Sequence, residues 1–138
     1  MKAWTGPKTG YGTRGEEEMR VVFATSGDDL DAPLDARFGR APKYLVYDMD
    51  AETFKVVDNQ GNAIMVHGAG VQSAGKVARM APSAVVTGHC GPKAFQVLTA
   101  AGIEIYTSTA DTVAEALKQY KSGKLHPAVN SDVGGHWT

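Results

Sequence analysis

The spacing of apolar residues changes character once along this chain, and that change leaves few folds open. Three short runs rich in β-branched and aromatic residues come first: Arg20–Ser26, ending at Gly27, then Tyr44–Met49 and Thr53–Asp58. The short link between the second and third predicts an antiparallel hairpin. Helix–strand alternation follows. Val71, Ala74, Val77, Ala78 and Ala81 recur at helical spacing until Pro82 stops the run. A strand over 84–88 leads to a helix over about 92–101, closed by Gly102 as its C-terminal cap. Strand Ile103–Thr107 precedes a last helix, with Thr112 and Glu115 as a capping box and Val113, Ala116, Leu117 and Tyr120 as its apolar stripe. The order βββαβαβα predicts an α/β fold with a mixed five-stranded sheet, antiparallel early and parallel late, flanked by helices.

Composition supports one such unit. The 138 residues are 43% hydrophobic and 21% charged, enough for a single core, placed at 19–123. Residues 1–18 hold four glycines and no period, and read as a flexible tail; 124–138 read as a loosely held tail. With 14 basic and 15 acidic residues the net charge is −1, so neither nucleic acid nor a membrane surface is an expected partner. No apolar run nears the roughly 20 residues of a membrane span. The start of the chain lacks a signal-peptide core. One cysteine closes no internal disulfide. The expected location is the cytoplasm.

Two segments carry chemistry. The sixteen residues from Gly27 to Pro42 are long for a link between strands, and loops of that length are usually functional or disordered. They hold Asp28, Asp29, Asp31, Asp35, Arg37 and Arg40 around Leu34 and Phe38. The second is Thr87-Gly-His-Cys-Gly-Pro-Lys-Ala-Phe95, a strand-to-helix turn with His89 beside the single cysteine, Cys90. Open α/β sheets bind ligands at such turns, and imidazole and thiolate suit soft metals. Three readings of the pair stay open: metal ligation, an activated cysteine, or a buried small hydrophobe with a hydrogen-bonding histidine. His67 lies in another turn before a helix. His126 and His136 fall in the tail.

Other patterns point away from hydrolysis. Gly70–Lys76 fits G-x-x-x-x-G-K, but Val77 follows where a magnesium-binding hydroxyl belongs, and helical spacing runs through the motif. The aspartates of the first loop lack EF-hand spacing.

Four segments in order, 34–47, 68–74, 87–95 and 100–106, resemble the dinitrogenase iron–molybdenum cofactor biosynthesis family over about residues 20–123. The resemblance implies a ribonuclease-H-like fold and the binding of a preformed metal–sulfur cluster, of iron–molybdenum or molybdenum–copper sulfide type, rather than catalysis. Family members tied to nitrogenase often carry histidine before the Phe-Gly of the first segment; Arg37 stands there in this chain. A cluster that brings its own sulfides needs few protein ligands. Cys90, His89 and His67 are the expected metal ligands. Arg37, Arg40, Gly70, Gly91 and Lys93 are expected to meet its negative charge, with helix amino termini at Gly70 and Pro92. Metallocluster assembly or acceptor proteins are the expected partners of a monomer or weak dimer. The alternative is a cysteine-dependent redox or small-molecule-binding protein without a stable cluster. Either way, the loop 27–42 and the turns 67–71 and 88–92 are expected at one edge of the sheet.

Overall fold

The computed structural model describes residues 19–128. The expectations for residues 1–18 and for His136 lie outside them. Five strands form one sheet in the order β3-β2-β1-β4-β5: β1 Arg20–Thr25, β2 Lys43–Asp48, β3 Thr53–Asp58, β4 Ala84–Thr87 and β5 Glu104–Thr107. The pairs β1–β2 and β2–β3 are antiparallel, and β1–β4 and β4–β5 are parallel, as the change in apolar period implied. This geometry sets the carboxyl ends of β1, β3, β4 and β5 along the same edge, at Thr25, Asp58, Thr87 and Thr107.

Side chains alternate across a strand, so each face of the sheet makes its own core. On one face Val22, Ala24, Tyr44, Val46 and Val85 pack with helices α2 (Ala69–Arg79) and α3 (Pro92–Ala100) through Ala74, Val77, Ala94 and Leu98. On the other, Val21, Phe23, Leu45, Tyr47 and Val86 pack on α4 (Val113–Lys121) through Val113, Ala116 and Leu117. Full burial of side chains such as Phe23 or Leu45 stabilises by about 1.5–3 kcal/mol each.

Helix ends follow local chemistry. Thr112 Oγ1 accepts the Glu115 N–H at 3.1 Å, as the capping pair predicts. The return bond differs: Glu115 Oε1 accepts from the Asp111 N–H, one residue earlier than a reciprocal box. Gly102 has φ +81, the left-handed conformation that favours glycine after a helix. Helix α2 starts two residues before the expected apolar run and stops at Arg79. Ala81, just ahead of Pro82, stands in the left-handed region at φ +52, and the right-handed helical region is disfavoured for a residue before proline.

Two elements were not anticipated. A one-turn helix, α1 (Gln60–Ala63), follows β3. Residues 124–128 do not trail from the domain: Tyr106 and Pro127 form an antiparallel bridge, and the Ala128 N–H donates to the Ile105 carbonyl at 2.7 Å. The free side of β5 offers unpaired backbone groups, and this segment satisfies some of them. Among the described residues no helix is long and apolar enough to cross a membrane.

Candidate functional site

The long loop after β1 is built into the carboxyl edge of the sheet. Thr25 bridges Leu34, and the Asp35 N–H donates to the Ala24 carbonyl at 2.7 Å. The loop then crosses the end of β4. There the Gly88 N–H donates to the Asp35 carbonyl, the Phe38 N–H donates to the His89 carbonyl, and Arg37 and His89 form a parallel bridge. Gly88 is held to glycine by this crossing, because a Cβ there would stand 2.7 Å from Ala36 Cα. A 3-10 turn, Phe38–Arg40, next presses on the first turn of α2, and a Cβ on Gly39 would lie 2.8 Å from Gly70 Cα. Gly70 in turn faces α3, where its Cβ would meet that of Ala94 at an ordinary 3.7 Å. The loop and the two turns therefore meet at one edge, as expected.

A buried polar network holds the 3-10 turn from below. The Tyr44 hydroxyl donates to the Phe38 carbonyl, Ser73 Oγ donates to the Gly39 carbonyl, and Asn59 Nδ2 donates to the Ala41 carbonyl. Asn59 Nδ2 also reaches Ser73 Oγ at 3.1 Å. Tyr44, Asn59 and Ser73 are all at most 1% exposed. Burial pushes the Tyr44 phenol well above its ordinary range, so it stays a donor. The sequence reading missed Asn59 and Ser73. Ser73 did carry a signal, a hydroxyl on the stripe otherwise made by Ala74 and Val77.

Above this support the rim is polar. Arg37, His67, His89 and Lys93 are exposed. Gly91 has ordinary extended angles, and a Cβ there would find no atom within 4 Å, so the turn before α3 opens outward. Neither α2 nor α3 has a side-chain cap or an acidic residue in its first turn, whereas Thr112 caps α4. Uncapped first-turn N–H groups carry partial positive charge. With two cations and two imidazoles nearby, the edge suits an anion.

Several of the expected residues sit elsewhere than on the open rim. Cys90 is 1% exposed and packs in the core beneath α3, so its thiol is not offered to the rim. A small apolar side chain gains more from burial there than from exposure in the turn. Among the described residues no three His, Cys, Asp or Glu side chains are grouped to hold a metal ion. Arg40 directs Nη1 to the Ala63 and Met65 carbonyls instead of outward. The loop aspartates shape turns: Asp29 accepts the Asp31 N–H, Asp35 accepts the Arg37 N–H, and Asp28 pairs with Lys43. Residues 70–76 lie within α2 and form no phosphate loop. His126 is exposed on the segment beside β5, apart from these turns in sequence.

Comparison with known proteins adds to this geometry. The family profile described as dinitrogenase iron-molybdenum cofactor matches residues 19–123. An uncharacterized protein of Methanocaldococcus jannaschii is 30% identical over 95 residues, covering 67% of this chain and 80% of that protein. The apo form of the orange protein from Desulfovibrio gigas superposes with a TM-score of 0.80 at 34% identity, over 83% of this chain and 97% of the other. A Thermotoga protein of the DUF35 family, provisionally named a NifB protein, gives a TM-score of 0.75 at 27% identity, over 85% and 99% of the two chains.

Proposed function

This chain belongs to the dinitrogenase iron-molybdenum cofactor family, and we propose on that basis that it binds and carries a preformed, anionic metal–sulfur cluster for metallocluster assembly or delivery. The observation that carries the reading is the meeting of two uncapped helix amino termini, α2 and α3, with Arg37 and Lys93 at one sheet edge. Cargo of this class arrives with its sulfides in place. Backbone N–H groups and cations hold such an anion through hydrogen bonds and charge, and let it go without breaking covalent bonds. At this edge His67 and His89 are the exposed imidazoles, and His67 is the one offered as an added ligand. Support also comes from the orange protein, which was solved in an apo form, a state that implies a ligand to lose.

The partners in this reading are proteins that donate or accept metal–sulfur clusters. A cysteine-dependent redox role is the weaker reading, because Cys90 would first have to leave the core. Metal and sulfide analysis of anaerobically isolated protein, with a titration by tetrathiomolybdate followed by visible absorbance, tests the carrier. Binding is expected, and Arg37→Ala should weaken it at low salt more than at 1 M, where the screening length falls to about 3 Å. Protein that carries neither metal nor sulfide and ignores tetrathiomolybdate at low salt would sink the proposal.

A further inference from the structure

We propose that Arg40 is a positioning residue, fastening residues 63–68 to the rim and so setting where His67 and the first turn of α2 stand. Arg40 lies on the 3-10 turn, half-buried, and its Nη1 donates to the Ala63 carbonyl at 3.0 Å and to the Met65 carbonyl at 2.5 Å. The Ala63 carbonyl ends α1, where a helix leaves its last acceptors without partners of its own, and Met65 lies two residues beyond. A guanidinium meets both with one nitrogen.

Little else holds the segment from outside. Ile64 and Val66 are 79% and 81% exposed, and His67 is exposed as well, so these side chains contribute almost no burial. The N–H groups of Ile64 and Met65 bond only within the turn, to the Gln60 and Asn62 carbonyls. At its far end Gly68 sits at φ +82 and hands the chain to α2. The near end is tied at Asn59, whose N–H donates to the Pro42 carbonyl. Arg40 thus grips the middle of a strap that ends at the uncapped start of α2. The lysine ammonium also carries several donors on one nitrogen but ends one bond short of Nη1, so lysine should replace it only in part.

The effect on cargo rests on the carrier reading above; the effect on the strap does not. Hydrogen exchange of the unloaded protein reads the strap directly. In Arg40→Ala the amides of residues 63–65 should exchange about tenfold faster or more, the range for losing bonds to a charged donor, while β1 and β4 amides stay protected. Arg40→Lys should recover part of that protection. Tetrathiomolybdate affinity should fall in Arg40→Ala by a factor that persists at 1 M salt, unlike the salt-sensitive loss in Arg37→Ala. Unchanged exchange at 63–65 would overturn the proposal, and so would an affinity loss that salt abolishes. Faster exchange in a protein that binds no tetrathiomolybdate even as wild type would leave the strap standing and remove the carrier.

Discussion

Cys90 and the glycines around it divide the work of the rim between packing and access. Because the Cys90 side chain lies in the core, Cys90→Ser exchanges a weakly polar thiol for a more strongly hydrated hydroxyl and should lower Tm. Cys90→Ala keeps the site apolar and should cost less, with tetrathiomolybdate affinity near wild type. A folded Cys90→Ala protein that has lost the cargo would restore the thiolate as a ligand. The glycines make a matched pair. Gly39→Ala forces a methyl group against Gly70 and should destabilise by about 1–3 kcal/mol through overpacking. Gly91→Ala meets no atom and has ordinary backbone angles, so Tm should hold while a methyl enters the open turn and weakens cargo binding. Thermal melts beside titrations separate the two.

Among the elements, the helices differ in what their amino termini do. Helix α4 is capped by Thr112 and closes the second core; Thr112→Ala should lower stability by about 1 kcal/mol and leave the rim unaltered. Helices α2 and α3 lack such caps and meet at the rim. Beneath them the Asn59 amide ties the 3-10 turn to α2. Asn59→Ala leaves the buried Ala41 carbonyl without that donor and should cost about 1–3 kcal/mol, with a fall in cargo affinity as the turn loosens. Urea melts and titration of both variants check this contrast. Equal effects of Thr112→Ala and Asn59→Ala on cargo binding would contradict it.

At the scale of the whole molecule, the buried network makes a prediction about pH. Burial raises the Tyr44 phenol, and Tyr106 and Tyr120 are raised as well, first by desolvation. A folded-state pKa above the unfolded value means that the contribution is complete below the unfolded pKa, about 10 for tyrosine. It is lost as pH climbs toward the folded value, because the unfolded chain releases its protons first. Tm should therefore begin to fall near pH 10. Tyr44→Phe should flatten that fall in part, though it also removes the bond to the Phe38 carbonyl and lowers stability at neutral pH. An alkaline profile identical to wild type would show that Tyr44 carries none of the effect.

Apolar spacing by itself determined the number, order and type of the main elements, because period two or period 3.6 records which way each backbone segment turns its own side chains. The same local chemistry marked Thr112 as a cap and Gly102 as a left-handed stop, and the order of elements was enough to bring the loop and the two turns to one edge. What depended on distant contacts was decided only in the folded chain. A turn has no period, so the packing beneath α3 chose the inward side for Cys90. Asn59 meets Ser73 fourteen residues away, and Arg40 finds its carbonyls twenty-three and twenty-five residues on. Residues 124–128 are held because β5 leaves a free edge beside them. Each partner is set by how the sheet brings remote segments together, and no local pattern of residues records that.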